Sequence, residues 1–133
     1  MKKSFGITAI LTLLVAMAFA IGSFAHDDMK GMKGMKTDKD ITVKGEIVDL
    51  ACYLDHGATG MKHQQCALTC LKGGQPMGLL AADGKVYLLL ADHQDAKPFD
   101  EAKTYAALQV EITGPLAEKA GVTGLTVEKV KKL

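Results

Sequence analysis

The sequence contains no arginine and no tryptophan, and all 16 of its basic residues are lysines. Bidentate recognition of phosphate or carboxylate relies on the guanidinium fork, and stacking on exposed bases needs aromatic rings. Beyond the first 25 residues the chain carries few aromatic side chains: Tyr53, Tyr87, Phe99 and Tyr105. We therefore expect no nucleic-acid partner.

The sequence motifs of several familiar chemistries are also missing. There is no Cys-x-x-Cys-His sequence for covalent haem attachment, and Cys66 and Cys70 are separated by three residues instead of the two of a thioredoxin-like pair. The chain lacks a serine nucleophile elbow and a Gly-rich phosphate loop. Asp49, Asp55 and Asp92 are the candidates for acid–base catalysis, but acidic residues in turns and at strand ends are usually solvated. We expect no enzymatic activity.

The N-terminus has the pattern of a cleavable signal peptide. Two lysines precede an apolar stretch at residues 5–19, and small residues follow it. Cleavage sites fit after Ala20 and after Ala25, and we favour Ala25 because an abruptly hydrophilic segment begins there. The apolar core of about 16 residues is shorter than the roughly 20 that span a membrane. We predict that residues 1–25 are removed, which leaves a periplasmic or secreted protein with no stable membrane anchor.

Residues 26–40 form a segment rich in methionine, lysine and glycine, without branched aliphatic or aromatic side chains. Such a composition cannot bury a core, so we predict a disordered tail. Met29, Met32 and Met35 offer thioethers, which select Cu(I). Cleavage after Ala25 would also give His26 a free α-amine beside its imidazole, a chelate for Cu(II). Alternatively, the segment is a low-complexity linker in which methionine is incidental.

The remaining residues, 41–133, have the length of one domain. Five stretches have the alternation or the apolar character of strands: 41–47, 78–82, 85–90, 108–113 and 123–130. Asp83-Gly84 predicts a type I′ hairpin between the second and third strands. Gly45 predicts a bulge or a bend at a barrel corner. A helix is predicted at residues 98–107, and Gly114-Pro115 and Gly121 are predicted to bracket a loop between the last two strands.

This order of elements predicts a mainly β protein, a small five-stranded OB-like barrel. One short helix lies between strands 3 and 4, and a helical loop that bears the cysteines and histidines lies between strands 1 and 2. The alternative is an open antiparallel sheet with one helix packed on it.

The connection between strands 1 and 2 holds all three cysteines and two of the four histidines. A connection of this length in a small domain is usually functional or stapled. Two groups of these residues have spacings that bring side chains to one face of a helix. The candidate metal ligands are Cys52 and His56 in the first group, and His63, Cys66 and Cys70 in the second.

Three cysteines and one histidine form a standard tetrahedral zinc set, and thiolate with imidazole also suits copper. We therefore predict a Cys3His-type site for a copper or zinc ion, with a role in metal handling or sensing. The alternative is a disulfide from Cys52 to Cys66 or to Cys70, which would leave the remaining cysteine as an odd free thiol. In that case the protein would be a ligand-binding or structural module without metal, and the disulfide would staple its loop. His93 is predicted to be solvated.

The motif Asp49-x-x-Cys52-x-x-x-His56, followed by Cys66-x-x-x-Cys70, resembles that of a family of exported bacterial OB-like domains. The resemblance covers residues 43–130, and Tyr53-Leu54 departs from the Cys-Gly of many members. It implies export and an OB-like fold, and it implies no biochemical function. It matches four of the candidate ligands and leaves His63 outside the motif.

Overall fold

The computed structural model describes the backbone of residues 35–133 and the side chains of residues 39–133. The strands are β1 (Met35–Asp49), β2 (Met77–Ala81), β3 (Val86–Ala91), β4 (Gln109–Lys119), β5 (Val122–Val127) and β6 (Lys129–Lys132). The helices are α1 (Leu50–His56), a short 3-10 helix (Met61–His63), α2 (Gln64–Lys72) and α3 (Lys97–Thr104). None of the helices within residues 35–133 is long and apolar enough to cross a membrane. The predicted signal peptide and residues 26–34 of the predicted tail lie outside the described residues.

Five strands form a closed barrel in the order β1, β2, β3, β5, β4, because β1 also pairs with β4. Neighbouring strands are antiparallel except β3 and β5, which are parallel. The additional strand β6 pairs with β4 at residues 110–113. The prediction of a mainly β, five-stranded OB-like barrel is confirmed, including the helix between strands 3 and 4.

Gly45 lies where β1 pairs with two neighbours at once, opposite Ala81 of β2 and Val110 of β4. A Cβ atom at this position would collide with the backbone carbonyl of Leu80. The absence of a side chain therefore permits the close approach of β1 and β2.

One apolar cluster fills the barrel and extends to the helices. Its buried members are Ile47, Ala67, Leu71, Met77, Leu79, Leu89, Ala102, Ala106, Val110, Ile112, Leu125 and Val127. Ala67 and Leu71 lie four residues apart on α2, so one face of this helix packs into the cluster. The core thereby anchors α2 and determines where its adjacent side, which carries Cys66 and Cys70, is held.

The bounds of several elements differ from the predicted fold. β1 begins at Met35, six residues before the predicted boundary of the domain. β4 continues through Gly114-Pro115, and the chain reverses instead at Ala120-Gly121, both at positive φ. The strand predicted at residues 123–130 is divided into β5 and β6 at Glu128.

The Asp83-Gly84 hairpin lies where it was predicted, but the type I′ turn is wrong. That turn needs positive φ at both central residues, and only Gly84 has it, at 83°. The Gly84 N–H donates to the Ala81 carbonyl at 2.9 Å. The connection is therefore a three-residue loop with glycine in the left-handed position.

Candidate metal centre

Helix α1 follows β1 directly because Asp49, the last residue of the strand, caps it. The Asp49 carboxylate accepts hydrogen bonds from the N–H groups of Ala51, at 3.1 Å, and Cys52, at 3.4 Å. The helix ends after two turns at Gly57, whose φ of 70° is left-handed. Cys52 is thus held in the first turn, beside the end of β1.

The chain then returns to the barrel and enters α2. The Gly60 N–H donates to Oε1 of Glu46 at 2.5 Å, which ties the return segment to β1. Gln64 begins α2, and its side-chain amide donates to the Ala106 carbonyl at 3.3 Å. The helix ends at Lys72 and is followed by Gly73-Gly74, with Gly74 at a φ of 94°. Cys66 and Cys70 lie one turn apart on this helix.

The two helices bring the three cysteines together. The Sγ atoms of Cys52, Cys66 and Cys70 all lie within 4.8 Å of one another. Cys52 and Cys70 are half-buried, Cys66 is exposed, and all three are free thiols with no pair at bonding distance. With zinc–sulfur bonds of about 2.3 Å, the sulfurs of a tetrahedral site are about 3.8 Å apart. The cysteines are therefore close enough to bind one metal ion after a small contraction.

Asp49 is the first residue of the motif that carries the family resemblance, but its place beside the thiols was not predicted from the sequence. It was predicted to be solvated, but it is 2% exposed and is the one buried charged residue within residues 39–133. Its carboxylate interacts with the thiols of Cys52 and Cys70 in addition to the two backbone N–H groups. Its place at the N-cap of α1 was the available signal, because an N-cap aspartate must face the first turn, where Cys52 lies.

The hydrogen bonds to Asp49 determine the protonation of the cluster. Burial by itself raises the pKa of Asp49, but the hydrogen bonds from the Cys52 thiol and the backbone outweigh it, so the pKa lies below 3.8. The hydrogen bond to Asp49, followed by burial, raises the pKa of Cys52 from 9.0 to about 12. Burial, followed by the charge of Cys66, raises the pKa of Cys70. Without metal, both of these thiols are protonated at neutral pH beside an ionised carboxylate.

We expect the metal-free protein to lose stability in alkali through Cys52. A folded-state pKa above the unfolded value contributes stability that is fully present below pH 9 and is lost as the pH rises through 12. The midpoint of urea unfolding should therefore fall more steeply above pH 9 in the parent than in Cys52→Ser, whose hydroxyl does not titrate there. Both are compared in a Tyr105→Phe background, because Glu101 also raises the pKa of Tyr105. Parallel pH profiles would contradict this account.

The two candidate histidines do not belong to the group of three thiols. His63 lines a small pocket together with Cys52 and Cys66. The His56 side chain is 52% exposed, and its Nδ1 lies 3.2 Å from Oδ2 of Asp55. The two imidazole rings lie beside each other, with centroids 6.0 Å apart. His93 is exposed, as predicted.

Comparisons with protein-family models, with curated proteins and with solved structures give no match to this chain. The resemblance to exported OB-like domains stays a prediction. The function is therefore inferred from the chemistry of the site itself.

Proposed function

We propose that this protein binds one copper or zinc ion through Cys52, Cys66 and Cys70 and acts in metal handling or sensing. The observation that carries the proposal is the convergence of three free thiols within 4.8 Å, supplied by two separate helices. Thiolates are the ligands that Cu(I) and Zn²⁺ prefer, and a three-thiolate set leaves a coordination position open in a tetrahedral site.

The surroundings of the thiols support binding that is reversible. Cys66 is exposed, so an ion can reach the group from solvent without opening the barrel. The ion must displace the thiol protons, because thiolates are the ligands, so affinity should rise with pH. The ion must also replace the proton that Cys52 shares with Asp49, because this carboxylate raises the pKa of the thiol to about 12.

The proposal places the protein outside the cytoplasm, on the strength of the signal-peptide pattern at residues 1–25. In an oxidising compartment a cluster of three thiols is prone to disulfide formation. A bound ion protects all three thiolates at once, whereas a disulfide leaves one cysteine free. The competing reading, a structural disulfide in a module without metal, therefore makes different predictions for the three cysteines.

Serine substitutions separate these two readings. With a thiolate site, Cys52→Ser, Cys66→Ser and Cys70→Ser should each weaken Zn²⁺ binding by about a hundredfold or more, equivalent to about 2.8 kcal/mol. Each should also abolish most of the rise in melting temperature that added Zn²⁺ produces. Competition titration against a chromophoric chelator, done under reducing conditions, measures the affinity.

Thr69→Ala is the matched control, because Thr69 lies on α2 between the ligands and is exposed. It should bind Zn²⁺ like the parent. A disulfide gives another pattern: two substitutions destabilise the oxidised protein, the third is silent, and none changes metal affinity. That pattern would contradict the proposal.

A further inference from the structure

His56 and His63 are brought together by an arrangement that leaves them outside the thiol group. His56 is the last residue of α1, and the left-handed Gly57 turns the chain immediately after it. The hydrogen bond from the Gly60 N–H to the Glu46 carboxylate holds the return segment against β1, and His63 follows as the N-cap of α2. The imidazoles meet at a centroid distance of 6.0 Å with their planes tilted by 54°.

The His63 imidazole has no hydrogen-bond partner among the described residues, although its ring is half-buried. The one polar contact of the His56 ring is with the exposed carboxylate of Asp55. At least one imidazole nitrogen on each ring is therefore available as a ligand.

The ring separation fits a shared ion. With a metal–nitrogen bond of about 2.0 Å, each ring centroid lies about 3.2 Å from the metal. Two such rings have centroids about 5 Å apart at a tetrahedral angle and about 6.4 Å apart at a linear one. The observed 6.0 Å lies between these limits. A tilted ring contact without metal spans the same range of distances, so binding has to be tested directly.

We infer that His56 and His63 form an outer site that accepts the copper or zinc ion before the thiols do. His63 lines the same pocket as Cys52 and Cys66, and the His56 side chain is 52% exposed, so an ion held by the histidines lies beside the thiol group on its solvent-exposed side. Transfer exchanges two metal–imidazole bonds for metal–thiolate bonds and releases the thiol protons to solvent. Thiolates are soft ligands that suit copper and zinc, and because thiol protons are released, the transfer becomes more favourable as the pH rises.

The site itself is tested without the thiols. In the full chain with Cys52→Ser, Cys66→Ser and Cys70→Ser, Zn²⁺ should shift the imidazole NMR signals of His56 and His63 together and saturate at one equivalent. His93, an exposed histidine on a separate loop, is the internal control and should not shift with them. His56→Gln should weaken the response of His63 by about tenfold, the effect of 1.4 kcal/mol. Independent or absent shifts in a folded protein would overturn the site.

The transfer step rests on the proposed function and is tested with all thiols intact. Stopped-flow mixing with Co²⁺ reports thiolate ligation through its charge-transfer absorption. The variant with both His56→Gln and His63→Gln should reach the same final absorbance about tenfold more slowly or worse, whereas His93→Gln should match the parent. Equal rates would overturn the outer site as an entry route. No thiolate absorption in the parent would instead refute the proposed function, and the zinc-dependent NMR shifts would still decide whether the histidine site exists.

Discussion

Replacing Asp49 by alanine is expected to lower the free energy of unfolding of the metal-free protein by about 3 kcal/mol. The carboxylate accepts two backbone N–H groups at the start of α1, and it also interacts with the Cys52 and Cys70 thiols. An N-cap alone contributes about 1 kcal/mol, and hydrogen bonds to a buried charge contribute about 1.5 to 3 kcal/mol each. Urea unfolding followed by circular dichroism measures the loss.

Two further substitutions divide this effect into its parts. Asp49→Asn keeps an acceptor for the helix N-terminus and removes the charge, so it should cost less than alanine. Asp55→Ala is the matched control on the same helix, because its side chain is 85% exposed, and it should be nearly neutral. If Asp49→Ala and Asp55→Ala have equal effects, Asp49 does not organise the cluster.

Asp49 should also affect metal affinity without being a ligand. Its carboxylate forms hydrogen bonds with the Cys52 and Cys70 thiols and so orients them. Groups that orient metal ligands are typically worth about 10- to 100-fold in affinity, so we expect Asp49→Asn to weaken Zn²⁺ binding by about tenfold with unchanged stoichiometry. Loss of stoichiometry would instead identify Asp49 as a ligand.

Replacing Gly114 by alanine is expected to cost at least about 3 kcal/mol and to compromise folding. Gly114 is a buried residue of β4 and lies beside the junction at which β5 ends and β6 begins. A Cβ atom there would overlap the backbone carbonyl oxygen of Thr126. The adjacent Glu128 N–H donates to the Thr113 carbonyl at 3.0 Å, so the two segments cannot separate without losing a ladder bond.

Gly124→Ala is the matched control for Gly114→Ala. It is another buried barrel glycine, but its Cβ would meet the end of the Leu90 side chain, which is 38% exposed and able to move. It should cost about 1 kcal/mol or less. Thermal unfolding of the two variants distinguishes a backbone collision from the general loss of a glycine, and similar melting temperatures would contradict the packing described for β4 and β5.

The barrel could be predicted because its signals are local. Alternation in the first strand, the Asp-Gly hairpin and the helix between strands 3 and 4 each depend on neighbouring residues alone. The errors arose where distant residues intervene. Pro115 lies opposite Asp40, where the register between β1 and β4 shifts. A proline, which has no N–H to donate, is tolerated at such an irregularity, so β4 does not end there.

The candidate site could be predicted in part for the same reason. The spacing of Cys66 and Cys70 placed both on one face of a helix, and α2 has that form. The sequence alone does not give the distance between that helix and Cys52. This distance depends on how Ala67 and Leu71 pack into the barrel. The pairing of His56 with His63 likewise depends on the return segment between the helices.

The most direct test of the central claim is the metal content of the native protein together with its free thiols. The full-length gene product is expressed in its own host and purified without chelators or reductants. Elemental mass spectrometry should find one copper or zinc ion per chain, and unfolding with a chelator should release three titratable thiols. The Cys66→Ser protein, purified in the same way, should lose that ion, which separates thiol-bound metal from metal on the methionine-rich segment. A metal-free protein with a single titratable thiol would contradict the account.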